Sequence, residues 1–159
     1  FVYPKDVSLW HDSARQICDN YSASYYKDFS KQCDEYFFNK HRNEKRGVGG
    51  LFFDNLNNRE KDFHKNFVLD TGKTYLQTYS QIIKKRKNKK YNKIHKTFQQ
   101  IRRGRYVEFN LVYDRGTLFG LQSGGRAESI LMSMPPSVIW TGKKNIELAK
   151  FEKNLKKYL

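Results

Sequence analysis

Aromatic side chains constrain the interior of this protein more than any other feature of its sequence. The 159 residues include 12 Phe and 11 Tyr, and aromatic residues make up 16% of the chain. Large rings therefore have to supply much of the buried apolar surface, and rings pack best in edge-to-face or offset arrangements. A chain of this length encloses one modest core, so the sequence predicts a single domain over residues 1–159.

The charge of the chain restricts the partners that it attracts. A formal net charge of +15 favours nucleic acid, an acidic membrane surface or a polycarboxylate, and charge alone does not choose among them. No apolar stretch is long enough to span a bilayer, and no targeting segment is visible, so a cytoplasmic protein is expected. Cys18 and Cys33 lack metal-type spacing, which predicts free thiols in a reducing compartment.

Helical spacing and composition predict most of the secondary structure. Between residues 62 and 83 the spacing turns Phe63, Phe67, Tyr75, Tyr79 and Ile82 inward. A Lys-rich run at 84–96 is either a solvated helical face or a mobile connection. A short helix with Phe98 and Ile101 follows, and Gly104 is expected to end it. The longer predicted helices are residues 5–21, 24–38, 62–83, 126–134 and 146–159.

Alternating or continuous apolar residues predict the strands. Residues 48–54 follow a glycine-rich entry and form a short apolar run that is typical of a buried strand. In residues 106–113 apolar and polar side chains alternate, and residues 118–121 are expected to return as the second strand of a hairpin. Glu108 and Asn110 would then share one strand face, lining a pocket or an interface.

Three long segments resemble the oxygen-dependent coproporphyrinogen III oxidase family. They are Cys33–Asp54, Arg102–Thr117 and Phe119–Pro136, with His-Arg-Asn-Glu-Lys-Arg-Gly-Val-Gly-Gly in the first, Arg-Tyr-Val-Glu-Phe-Asn in the second and Gly-Gly-Arg in the third. The resemblance covers most of the chain and corresponds to the C-terminal half of the family. It implies that a preceding part, including the proton donor, lies upstream of residue 1, so the catalytic residues stay unassigned.

The resemblance implies an enzyme of haem biosynthesis. Members of the family oxidatively decarboxylate two propionates of coproporphyrinogen III to give protoporphyrinogen IX, acting on CH–CH groups with molecular oxygen as acceptor. They use no organic cofactor, and a divalent metal is possible but not required. The implied fold is α+β, an antiparallel β-sheet flanked by helices. The implied assembly is a homodimer formed through about residues 106–141. This half is expected to be stable only with its preceding part or as a dimer.

The resemblance also implies the site residues. Gly124, Gly125 and Arg126 match a substrate-binding Gly-Gly-Arg, in which glycines allow close backbone approach and the arginine forks onto a carboxylate. The helix that follows would present its free N–H groups to the anion. Arg46 matches an arginine that holds a propionate. His11 and His41 match metal ligands in bacterial members.

Two other interpretations stay open. The Lys-rich run and the net charge suit a basic nucleic-acid-binding protein, although no recognised nucleic-acid-binding motif accompanies them. The second is an inactive dimerisation fragment, because the chain carries only part of the implied active site. A search upstream in the reading frame for the family's glycine-rich aspartate segment separates this interpretation from the enzyme.

Overall fold

The computed structural model describes residues 2–142 and 145–159. These residues are mostly helical, with one two-stranded antiparallel sheet. The helices are α1 (Pro4–Asp19), α2 (Tyr25–Tyr36), α3 (Lys61–Arg86), α4 (Lys93–Val112), α5 (Arg115–Gln122), α6 (Ala127–Ile130) and α7 (Ile146–Leu155). The strands are β1 (Phe38–Asn39) and β2 (Glu44–Lys45), and 3-10 turns cover Lys40–Arg42, Leu131–Ser133 and Lys156–Tyr158. This content is compatible with an α+β fold.

The described residues form two compact units. The α1–α3 unit comprises residues 2–36 and 48–90, and the α4 unit comprises residues 37–47 together with the described part of 91–159. The single-domain organisation stays a prediction. No helix in the described ranges combines the length and apolarity that crossing a membrane requires.

The core of the α1–α3 unit is built from rings, which confirms the expectation from the aromatic content. Phe67 of α3 is fully buried and meets Tyr21 and Tyr25 edge-on, with ring centroids 5.2 and 5.1 Å apart. Phe29 and Cys18 complete the buried cluster. Edge-to-face pairs at these distances add to the free energy gained by burying the rings themselves.

An ion pair joins the start of α1 to the end of α3. The Arg86 guanidinium donates from Nε to Asp6 Oδ2 at 2.7 Å and from a terminal nitrogen to Oδ1 at 2.9 Å. The hydrogen bond from Arg86 holds the pKa of Asp6 below its ordinary value, although burial of the carboxyl acts the other way. This two-pronged bond fixes how the two helices cross.

Both cysteines are buried thiols outside any disulfide, as the sequence predicts. Burial raises the pKa of Cys18 to about 11, and the charge of Asp19 adds to the shift. A thiol held protonated in this way is unreactive at neutral pH.

The long predicted helices α1, α2, α3 and α7 are close to their expected bounds, but α3 differs in the side chains that it buries. Phe67 is buried as expected, whereas Tyr75 and Tyr79 are about half exposed. The core lies on the side of Phe67 and Thr78, which places these two tyrosines on a different face. The Lys-rich run divides into the last turn of α3, a connection at 87–92 and the first turn of α4.

The predicted strands at 106–113 and 118–121 are wrong, because both segments are helical. α4 begins at a capping box in which Asn92 accepts from the His95 N–H, and it continues to Val112. Asp114 then caps α5 by accepting from the Thr117 N–H at 2.8 Å. Tyr106, Phe109 and Tyr113 lie three and four residues apart, so the segment carries a helical pattern as well as an alternating one.

Gly104 lies inside α4 instead of ending it. A Cβ atom at this position would lie 3.4 Å from the Ile139 carbonyl oxygen and from Trp140 Nε1. Close packing of residues 139 and 140 on the helix therefore explains the glycine, which has no role as a helix terminator here.

The predicted strand at 48–54 is also wrong, since the segment forms neither helix nor strand. A strand needs a neighbour along its length, and here one backbone bond, from the Phe52 N–H to the Phe29 carbonyl at 3.1 Å, ties the segment to α2. The segment is also held by its side chains, because Leu51 and Phe53 pack against the ring cluster.

Candidate functional site

The Gly-Gly-Arg segment lies in a tight turn after α5. Gly124 has a φ of +74°, a conformation that L side chains rarely adopt. The Gly125 N–H donates to the Gly120 carbonyl at 3.0 Å, and a Cβ atom on Gly125 would lie 2.8 Å from that oxygen. Both glycines are thus required by the turn itself, and the turn sets the direction in which Arg126 leaves it.

We expect Gly125→Ala to lower the free energy of unfolding by roughly 1–3 kcal/mol, since backbone atoms cannot move away as a flexible side chain would. Gly47→Ala is the matched control, because a Cβ there meets nothing within 4 Å. Chemical denaturation of the two variants measures the difference. Equal stability of both would show that the turn at 124–125 relaxes without cost.

Arg126 is exposed and precedes α6. Its Nε donates to the Ser129 hydroxyl at 2.8 Å. A carboxylate could recruit this guanidinium at the expense of that single surface hydrogen bond. The predicted helix at 126–134 is confirmed in kind but is short: α6 has four residues and continues as a 3-10 turn. One helical turn supplies little dipole, so the guanidinium is the feature that attracts an anion here.

Arg46 follows β2 and rests on aromatic rings. Its guanidinium carbon lies 3.9 Å from the centre of the Phe37 ring and 5.2 Å from those of Tyr106 and Phe109. Its backbone is held as well, through a bond from its N–H to the Phe37 carbonyl at 3.1 Å. Cation–π packing orients the planar group before any ligand arrives. Arg46 and Arg126 both belong to the α4 unit, and their action on one ligand stays a prediction.

The β1–β2 hairpin supports Arg46. Phe38 pairs with Lys45 and Asn39 with Glu44 in antiparallel register. The fully buried Asn39 donates from Nδ2 to the Arg105 carbonyl of α4 at 3.2 Å, which anchors the hairpin on that helix. The hairpin and α4 thereby hold the arginine platform, which consists of the Phe37, Tyr106 and Phe109 rings on which Arg46 lies.

Glu108 is the centre of the densest polar network near this platform. Arg42 donates to both of its oxygens, at 3.0 and 2.8 Å, and Trp140 Nε1 donates at 2.8 Å. His41 and Arg105 approach at 2.8 and 3.1 Å. Burial alone would raise the pKa of Glu108, but the hydrogen bonds from Arg42, His41 and Trp140, with the charge of Arg105, lower it to about 2.

A second carboxylate extends this network along α4. Glu44 Oε1 accepts from Arg105 at 2.9 Å and from Arg102 at 3.2 Å, and Arg102 also reaches Glu152 of α7 at 3.4 Å. Arg102 further donates to the Arg46 carbonyl at 3.3 Å. The cations of α4 therefore hold the hairpin in place.

Sequence reasoning missed the role of Glu108. It placed Glu108 and Asn110 together on a strand face, whereas on α4 Asn110 is buried and donates from its side chain to the Tyr106 carbonyl at 2.7 Å. The spacing of Arg105 and Glu108, three residues apart, was the available signal, since such pairs meet on a helix.

The two histidines predicted as metal ligands have both ring nitrogens in hydrogen bonds. His11 contacts the Val48 carbonyl through Nε2 at 2.7 Å and the Tyr26 hydroxyl through Nδ1 at 3.1 Å. His41 contacts Glu108 through Nε2 at 2.8 Å and the Tyr113 hydroxyl through Nδ1 at 2.9 Å. Because carbonyl and carboxylate oxygens only accept, each Nε2 carries a proton, and a metal would have to displace the tyrosine from Nδ1.

No group of three or more His, Cys, Asp or Glu side chains within residues 2–142 and 145–159 is arranged to hold a metal ion. The residues described here therefore do not by themselves fit a metal, and no chemical step is assigned to one. A metal on His11 and His41 stays a prediction.

Comparison with known proteins identifies the family. The family model for coproporphyrinogen III oxidase matches residues 1–159. The chain is 54% identical over its whole length to an oxygen-dependent coproporphyrinogen-III oxidase of Francisella tularensis subspecies holarctica, and the match covers 52% of that protein. It is 59% identical over 88% of its length to the enzyme of the same name from Francisella philomiragia, of which 46% is covered.

The chain thus spans about half the length of the curated relatives that it matches. The matched region includes the Gly-Gly-Arg turn, the arginine platform and the Glu108 network. This chain belongs to the coproporphyrinogen III oxidase family.

Proposed function

We propose that residues 1–159 form part of an oxygen-dependent coproporphyrinogen III oxidase. The reaction removes two propionate carboxyl groups of the porphyrinogen as carbon dioxide, with molecular oxygen as acceptor, and yields protoporphyrinogen IX. The match of the family model to the entire chain is the observation that carries this proposal. The oxygen dependence and the substrate follow from the activity for which these relatives are named.

In this proposal Gly124, Gly125, Arg126 and Arg46 hold the propionates of the substrate. The glycine turn exposes Arg126, and three aromatic rings orient Arg46. A net charge of +15 draws a polyanion towards the protein. The protein contributes position and electrostatics, and the electron-rich pyrrole contributes the reactivity towards oxygen.

The homodimer is proposed to form through about residues 106–141. Several large apolar side chains of this region are exposed, which favours an interface. Phe119 and Met132 are 73% and 77% exposed, and Leu111 and Val112 extend the apolar surface along α4.

Three further features belong to the same proposal. They are the family's antiparallel sheet flanked by helices, a cytoplasmic location, and a metal bound by His11 and His41.

The function is tested with a family-length protein, in which residues 1–159 replace the matched region of the Francisella tularensis subspecies holarctica oxidase. Coproporphyrinogen III is supplied with and without oxygen, and the porphyrins are identified by fluorescence and chromatography after chemical oxidation. We expect protoporphyrin only in the aerobic reaction. Equal conversion without oxygen, or no conversion by the folded protein in air, would contradict the proposal.

The Lys-rich run gives a test of the nucleic-acid alternative. Replacing Lys84, Lys85, Lys87, Lys89 and Lys90 by Gln removes charges that are exposed on the surface. In the family-length protein we expect kcat/KM to change by less than about twofold, because these side chains lie outside the proposed substrate site. Filter binding with single- and double-stranded nucleic acid at increasing salt provides the control. Tight binding that weakens steeply with salt and disappears in this variant would favour the alternative.

A further inference from the structure

An apolar stripe along α3 is about half exposed to solvent. Its six members are each between 43% and 64% exposed, and they lie away from the buried Phe67 and Thr78. A helix of a folded domain normally turns such a face towards its core. The stripe consists of Val68, Leu69, Tyr75, Leu76, Tyr79 and Ile83.

The spacing of the stripe fits a protein helix as its cover. Leu69, Leu76 and Ile83 are seven residues apart, and Val68 and Tyr75 repeat the same interval. Apolar side chains at heptad spacing form the seam along which one helix packs on another. Leu76 also lines a shallow depression between side chains of α3, together with Gln77, Ser80, Gln81 and Lys84.

The rings in the stripe are already ordered. Tyr75 and Tyr79 stack with their planes 12° apart, and Trp10 of α1 meets Tyr75 edge-on at 5.5 Å. Aromatic side chains held in this way lose little conformational freedom on binding, which is why they are enriched in protein interfaces.

Charge argues against a second copy of the chain as the cover. Lys73 and Lys84 are exposed on the same helix as the stripe. Two copies packed along their stripes would bring the lysines of one α3 towards those of the other. Such juxtapositions cost free energy at an interface.

We propose that the α3 stripe is the surface that packs against the part of a family-length oxidase that lies outside residues 1–159. The relatives carry nearly as many residues again as the matched region, since the chain covers 52% of the Francisella tularensis protein. The partner surface is apolar, contains a helix with heptad spacing, and presents polar or acidic side chains towards the lysines of α3. This inference does not depend on the oxidase activity.

Thiol labelling tests the proposal with mild substitutions. Both native cysteines are buried, so Leu76→Cys introduces a reactive thiol of known position, and Ile146→Cys, at a site 80% exposed, is the matched control. Each variant is made in the family-length protein and is labelled both in its native state and after unfolding in urea. The rate of reaction with a maleimide is followed by mass spectrometry on the peptide that contains the new cysteine.

We expect the thiol at position 76 to react at least about tenfold more slowly in the native family-length protein than after unfolding, because the partner surface covers it. The thiol at position 146 should react at similar rates in both states. Equal reactivity at position 76 in the two states would overturn the proposal. Protection of position 76 that appears only as the protein concentration rises would identify a second copy instead, and protection that needs anionic vesicles would identify a membrane surface.

Discussion

Glu108→Gln is expected to lower the free energy of unfolding by on the order of 3 kcal/mol, from the depression of the pKa of Glu108 to about 2. The glutamine keeps the shape but removes the charge that Arg42 and Arg105 surround. The Glu108 side chain is 11% exposed, and its neutralisation leaves Arg42 facing an uncharged amide, whereas Arg105 keeps its bond to Glu44. Urea denaturation at neutral pH measures the loss.

Glu35→Gln is the matched control, because Glu35 forms an exposed surface pair with Lys31 at 3.8 Å. Such pairs contribute about 0–1 kcal/mol, so its stability should be close to that of the wild type. Equal stability of the Glu35 and Glu108 variants would show that the network around Glu108 does not stabilise the fold.

The pH dependence of this stability has a definite sign. The pKa of Glu108 is lower in the folded protein than its ordinary value of 4.5, so the folded state favours the charged carboxylate. Its contribution is complete above that value and is lost as the pH falls towards about 2. The difference in unfolding free energy between the wild type and Glu108→Gln should therefore shrink over this interval. A difference that stays constant would assign the effect to packing.

Arg126→Ala is expected to reduce kcat/KM of the family-length protein by roughly 10- to 100-fold, the loss typical of one charge-assisted hydrogen bond to a carboxylate. Arg46→Lys should reduce kcat/KM about tenfold, because the point charge of an ammonium replaces a two-pronged guanidinium that aromatic rings hold in place. Steady-state kinetics with coproporphyrinogen III under air give both values, and an increase in KM should account for most of each.

The control for these substitutions is Arg59→Lys. Arg59 also lies over an aromatic ring, 5.8 Å from the centre of Phe63, but it belongs to the α1–α3 unit. Its kinetics should match those of the wild type. Thermal melts of all variants separate loss of substrate binding from loss of fold. Wild-type kinetics for both Arg126→Ala and Arg46→Lys would remove these residues from the substrate site.

The sequence predicts helices well where one periodic pattern acts alone. α1, α2, α3 and α7 lie close to their predicted positions, because their apolar residues repeat at helical spacing without a competing period. Around residues 106–113 two periods coexist, and the capping of α4 and α5 by Asn92 and Asp114 decides between them. Asp114 follows the segment directly, but Asn92 lies more than ten residues before it, so the start of α4 is not visible in a short window.

The candidate site shows the same limit. The resemblance selects Arg46 and Arg126, but their surroundings depend on tertiary contacts. The rings beneath Arg46 come from both the segment before the hairpin and the middle of α4. Glu108 also gathers groups from residues 41–42 and 140, positions that no local spacing connects to it. The exposure of Tyr75 and Tyr79 likewise depends on where α1 and α2 pack against α3.

The proposal that Arg46 and Arg126 hold propionates of one substrate is tested most directly by an experimental structure of the family-length protein with coproporphyrin III. This porphyrin is the stable oxidised form of the substrate. We expect one propionate within hydrogen-bond distance of the Arg126 guanidinium and another within that distance of Arg46. A bound porphyrin whose carboxylates contact neither arginine, with the two side chains on faces away from the ligand, would contradict the account.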